Sequence, residues 1–258
     1  RDLQAYSHYK KYALQNMKTL ENLSWKDPVL YKMASMAWNN GYFPMYHHAQ
    51  TVYYKTGMEQ FEALLEAIKS AKEYIFIETY IIDEGYMWEE IHKVLKKKVE
   101  EGVDVRLIYD DFGSILNMDE KWKSLLESEG IQVHAFNPII PQLAIQMNNR
   151  DHRKIIVVDG KTAFTGGSNI ADEYINRIER FGYWKDMGIC LKGEAVEQFV
   201  ISFLQIWNYG EEKPTPYEKF VKPAGAFDQT IENGFVIPFS DSPTDRSNIS
   251  KNFHLNLL

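Results

Sequence analysis

Cysteine is almost absent: Cys190 is the single thiol among 258 residues, so no disulfide can form within the chain. That scarcity fits a reducing compartment. Positive charge is the minority sign, with 29 Lys and Arg against 36 Asp and Glu and a formal net charge of −7. General nucleic-acid binders are usually basic, so no nucleic-acid partner is expected, although a local basic pocket remains compatible with this balance. No apolar run reaches the roughly 20 residues a membrane helix needs. No secretory leader is visible, and the chain begins at Arg1 rather than Met. Dinucleotide and Walker loops are missing too. The pair His47-His48 has no cysteine or carboxylate at metal-ligand spacing, and Glu89-Glu90-Ile91-His92 stands alone on an amphipathic pattern.

What is present is an apolar content of 45%, enough over this length for one large α/β domain. Helical and extended patterns alternate. Gly57 to Lys72 places Phe61, Leu64, Leu65 and Ile68 on one helical face, and Tyr74 to Ile82 reads as a buried strand. Glu84 to Glu101 predicts a helix, Val103 to Tyr109 a strand, Lys121 to Glu129 a helix and Ile131 to Phe136 a strand. Asp159-Gly160, between two apolar runs, predicts a hairpin. A short helix follows Asn169, then a strand from Met187 to Leu191 and a helix from Glu194 to about Tyr209. The alternation argues for a mixed β-sheet with helices on both faces. Residues 1–50 form an aromatic- and Met-rich extension, 51–212 the main α/β unit, and 213–234, with Pro214 and Pro216 near its start, a linker. Phe235-Val236-Ile237 then restarts an apolar strand, and Ser250 to Leu258 a helical pattern.

The chemistry concentrates in Asp151-His152-Arg153-Lys154 and in Thr165-Gly166-Gly167-Ser168-Asn169. Residues two apart on a strand share a face, so His152 and Lys154 can enter one pocket. A nucleophilic nitrogen beside a fixed cation suits attack on phosphorus. Gly166 and Gly167 allow a tight turn and close backbone approach. Asn169 can donate to phosphate oxygens or cap the turn after it. Asp159 has the opposite strand parity to His152 and belongs to the hairpin, so a structural role is expected of it. Glu78, a charge inside an apolar strand, needs a partner. It receives no catalytic role here, and neither do Asp110, Asp111 and Gly113. Lys96-Lys97-Lys98 reads as a solvated face.

The spacing His152-x-Lys154-x4-Asp159-x6-Gly166, with Asn169 three residues on, resembles the HKD motif of the phospholipase D superfamily. Asn149-Arg150-Asp151, Tyr109-Asp110-Asp111-Phe112-Gly113-Ser114, the Gly-Gly-x-Asn turn and Trp184-Lys185-Asp186 are similar to its bacterial cardiolipin synthase branch. The resemblance runs from about Leu30 to the C-terminus. It implies a phospholipase D-like fold and a phosphatidyltransferase that joins two phosphatidylglycerol molecules into cardiolipin and glycerol through a phosphohistidine. It implies His152, Lys154 and Asn169 as catalytic groups and Asp186 as the carboxylate that orients His152. No metal or cofactor is implied. Superfamily members usually contain two such units, so 235–258 reads as the start of a second. The missing unit or a second copy of the chain becomes the expected partner, beside phosphatidylglycerol and an anionic membrane surface. The resemblance also implies a bacterial cell membrane location, with the catalytic unit outside the bilayer and an N-terminal anchor not included. Two alternatives stay open: another HKD phosphodiesterase assembled from two subunits, and an inactive membrane-binding module.

Overall fold

Tyr74–Thr79, the run read as a buried strand, lies in the interior of a seven-stranded sheet with every residue buried. The computed structural model of the chain describes residues 20–21, 23, 27–114, 119–138, 150–209, 211–222, 226–227, 234–241 and 248–257. Asn149, Trp25 and part of the expected linker lie outside them. In chain order the elements are α1 (Pro28–Gly41), β1 (Ala49–Tyr54), α2 (Gly57–Ser70), β2 (Tyr74–Thr79), α3 (Tyr86–Glu100), β3 (Asp104–Asp110) and α4 (Glu120–Ser128). They continue with β4 (Gln132–Phe136), β5 (Ile155–Val158), β6 (Thr162–Gly166), β7 (Gly188–Gly193), α5 (Val196–Trp207) and α6 (Ile249–Leu257). The mixed α/β expectation holds, and the strand and helix limits fall within a few residues of those read from the sequence.

The strand order is β1-β7-β6-β5-β2-β3-β4. β2, β3 and β4 run parallel, joined by α3 and α4, whereas β5, β6, β7 and β1 pair antiparallel. Strand alternation divides the core between two faces. Ile75, Ile77, Val158 and Phe164 pack beneath α2 and α3. Phe76, Ile155, Val157 and Ala163 pack against α5, where Phe76 stacks on Phe203 with ring centroids 4.4 Å apart. Full burial of each such side chain stabilises the fold by about 1.5–3 kcal/mol.

The hairpin forms where Asp159-Gly160 predicts it. Both turn residues have positive φ, 53° and 61°, and Lys161 N donates to Val158 O. After Asn169 the short helix is a single 3-10 turn, Asp172–Ile175, whose Asp172 carboxylate accepts from Tyr86 N and Met87 N and caps α3 from outside. Phe235-Val236-Ile237 forms no sheet of its own: Val236 makes one antiparallel bridge to Tyr46. Phe253 of α6 packs with Ala37 and Phe43, so this last segment lies against α1 and the residues after it. The bridge forms there because Tyr46, fully buried, offers both its N–H and its carbonyl to Val236.

Candidate active site

Antiparallel pairing of β2 with β5 sets the C-terminal end of one beside the N-terminal end of the other, with Glu78 opposite Ile155. The end of β3 at Asp110 and the end of β6 at Gly166 reach the same edge of the sheet. Ligands of α/β sheets commonly bind at such strand ends.

Residues 151–154 lead into β5 at this edge, and their side chains alternate in their contacts: Asp151 meets Arg153, and His152 meets Lys154. His152 and Lys154 share one face. His152 is exposed and Lys154 is buried, and Lys154 Nζ lies 3.2 Å from His152 Nδ1 while donating to His152 O at 2.8 Å. An ammonium has no acceptor lone pair, so Nδ1 accepts and the proton of the neutral ring sits on Nε2. Burial, then the Lys154 charge, lowers the His152 pKa below the ordinary histidine value, against the opposing pull of Asp151 and Asp110. Burial draws Lys154 down to about 8, with Asp151 and Asp186 acting against it.

The two neighbours of His152 point to the other face and are anchored there. Arg153 Nε lies 2.7 Å from Glu78 Oε1 and 3.2 Å from Asp151 Oδ1, and its guanidinium also donates to Ser202 O of α5. Asp151 N donates to the fully buried Asp110 carboxylate. Glu78 thus has the partner its sequence position demanded. Burial raises its pKa well above the usual value, with Arg153 opposing and Asp151 adding to the rise. Asp110, given no role from sequence, also accepts from Phe112 N, Gly113 N and Arg150. Sequence reasoning lacked any spacing rule to join these groups, because they come from three strands.

The remaining motif residues are placed as follows. Asp159 accepts from Lys72 N, Glu73 N and Tyr74 N, which fixes the start of β2 at the end of the sheet away from His152. Asn169 is buried: its Oδ1 accepts from Ile81 N at 3.1 Å, and its amide donates to the Tyr174 hydroxyl at 2.6 Å. It therefore ties the turn after β6 to the chain leaving β2. A Cβ on Gly167 would stand 2.2 Å from Asp186 Oδ1, and one on Gly166 would stand 2.5 Å from Met187 O. The two glycines are required because the start of β7 presses on this turn, bringing Asp186 into the mouth of the site. There Asp186 accepts from Met187 N and Trp184 Nε1 and acts electrostatically on Lys154. It makes no hydrogen bond to His152, whose Nδ1 faces Lys154. In the segment between Asn176 and β7, Phe181 and Tyr183 are 78% and 71% exposed, and Ile178 and Met187 also face solvent, as does Phe112 beside Arg150. Among the described residues no cluster of His, Cys, Asp and Glu could hold a metal ion, and no helix is long and apolar enough to cross a membrane.

A mixed sheet clad by helices, with a His-x-Lys pair at the strand ends, defines a phospholipase D-like protein. The crystal structure of phosphatidylserine synthase from Haemophilus influenzae shares the fold. It matches with a TM-score of 0.53 at 16% identity, over 73% of this chain and 46% of that one. Residues 64–207 match the family model described as cardiolipin synthase, PLD-like domain, and the chain belongs to that family. An uncharacterized protein of Streptococcus mutans is 39% identical over 96% of this chain and 53% of its own length. A cardiolipin synthase of Alkalihalophilus pseudofirmus is 30% identical over 94% of this chain and 47% of its own length. The chain thus spans about half the length of these curated relatives.

Proposed function

We propose that this chain supplies one half of a phosphatidyltransferase site of the cardiolipin synthase type. The observation that carries the reading is the Lys154 ammonium held against His152 Nδ1 beside the Gly166-Gly167 turn. Phosphate oxygens of phosphatidylglycerol would compete for Lys154 Nζ. As the ammonium turns to them, Nδ1 is free to carry the ring proton and Nε2 presents its lone pair to phosphorus. Attack forms the N–P bond and expels glycerol, whose oxygen takes a proton from a second imidazole. That imidazole then removes the proton from the hydroxyl of a second phosphatidylglycerol, which attacks the phosphohistidine to give cardiolipin and restore His152. Lys154 stabilises the charge on the non-bridging oxygens in both steps.

One ring cannot serve both sides of phosphorus, and no other histidine of this chain carries the whole His-x-Lys-x4-Asp pattern. The second ring therefore comes from another unit, and the exposed apolar side chains Phe181 and Tyr183, in the segment that leads to Asp186, support docking of one. Incubation of the complete assembly with labelled phosphatidylglycerol tests the reading. His152→Ala should abolish cardiolipin formation, and Lys154→Ala should lose about 2.7–4 kcal/mol of transition-state stabilisation. Normal turnover by His152→Ala would end the proposal, and cleavage of DNA instead of lipid would replace it with a phosphodiesterase.

A further inference from the structure

Tyr80, the residue that follows β2, has no part in the motif and no spacing signature. Its ring centroid nevertheless lies 4.8 Å from that of His152, tilted by 50°, and 5.5 Å from Lys154 Nζ. No other aromatic ring in the described structure contacts this imidazole.

The backbone that carries the ring is held from several directions. Ser114 Oγ donates to Tyr80 O and accepts from Ile82 N. A Cβ on Gly113 would stand 2.3 Å from Tyr80 O and 2.9 Å from Tyr80 Cε2, so only glycine lets the loop after β3 close against this residue. On the far side Asn169 fixes Ile81 N, and Ile170 bridges to Ile82. These contacts fix the backbone on both sides of a half-buried tyrosine whose ring lies against the imidazole. Burial and the Asp110 charge raise its phenol pKa, so the side chain stays neutral.

We propose that Tyr80 is a positioning residue: its ring forms one wall of the His152 site, fixes the imidazole plane against Lys154 and leaves Nε2 turned to the open mouth. Without that wall the imidazole has Lys154 as its single lateral restraint, and water reaches the covered ring face. The aromatic face is the working part and the hydroxyl is dispensable. The charged groups that act on His152 are Lys154 from its own segment, Asp151 beside it and Asp110 from β3. Tyr80 adds low-dielectric cover to this set.

The inference rests on the reading of His152 as the reacting group, so its test has an arm independent of turnover. Proton NMR titration of the histidine C2–H signals in this chain, with the His152 signal assigned by its loss in His152→Ala, reads the imidazole directly. Tyr80→Phe should titrate like wild type. Tyr80→Ala should move the His152 midpoint upward toward the ordinary histidine value, because water regains the ring face, while the signals of the other histidines stay in place. In the catalytic assembly, Tyr80→Ala should lower kcat about tenfold or more with KM changed less, since small misplacement of a reacting group is costly, and Tyr80→Phe should restore it. Tyr80→Leu, which keeps apolar bulk, should hold the midpoint low and recover part of kcat. An unchanged His152 titration in a folded Tyr80→Ala protein overturns the proposal. So does equal damage by Tyr80→Phe and Tyr80→Ala, which would make the hydroxyl a substrate ligand. If no lipid turnover is found in any assembly while the titration moves as stated, the proposed function fails and the positioning role stands.

Discussion

At the scale of single residues, His152 and Lys154 both have their titrations moved downward. Burial and the neighbouring ammonium hold the imidazole below its usual range, and burial brings the ammonium to about 8. Attack needs the ring neutral and the lysine charged. The kcat/KM of the active assembly should therefore rise with pH through an acid limb below the ordinary histidine range, as His152 loses its proton, and fall through a basic limb to which Lys154, near 8, and the protonated imidazole of the second unit both contribute. A flat profile from pH 7 to 9.5 would remove the Lys154 charge from the reaction. Asp186 raises the lysine pKa, so Asp186→Asn should move the basic limb to lower pH. An unmoved limb would place Asp186 outside the electrostatics of the site.

At the scale of elements, the ends of β2 and β5 are fixed by groups that never reach the mouth. Asp159 accepts three backbone N–H groups at the start of β2. Asp159→Asn should lower stability by about 1–3 kcal/mol, read by urea unfolding, with turnover per folded molecule unchanged and well above that of Asp186→Asn. The reverse order of rates would exchange their roles. Arg153 is the cation between two buried carboxylates, so Arg153→Met should cost about 3–5 kcal/mol. Glu78→Gln should cost less, because burial opposes the charged form of Glu78 and the amide oxygen can still accept from Arg153. Most of these elements were legible in the sequence, since the 3.6-residue period of α2 and α3 follows from burial of one helical stripe and the apolar run of β2 from burial of both strand faces. The parity argument also separated Asp159 from His152. Contacts between elements were not legible. Gly166 and Gly167 mark a turn in the sequence, and only the packing of β7 shows that Met187 O and Asp186 occupy the space their missing Cβ atoms leave. Tyr80 looked like one more aromatic in an apolar run, because nothing local records that β5 ends beside it.

At the scale of the whole molecule, the site lies at one end of the sheet strands, Phe181 and Tyr183 are exposed in the segment leading to Asp186, and the sequence holds a single complete motif. Size-fractionated monomer of this chain should make no cardiolipin from phosphatidylglycerol, and a second motif-bearing unit should restore synthesis. Robust synthesis by the monomer would require a second acid among these residues. The sheet order has a further consequence, for the time course of folding. β2, β3 and β4 find partners from nearby sequence, and β5 and β6 close a hairpin, but β1 pairs only with β7, more than a hundred residues later. Closing so long a loop is slow relative to local pairing. On a ribosome the β1 segment, with Val52, Tyr53 and Tyr54, emerges early and waits for β7 to appear. Amide exchange started during refolding should thus protect β2 and β3 first and β1 last, and a chain cut before Gly188 should leave β1 unprotected while the parallel strands still form.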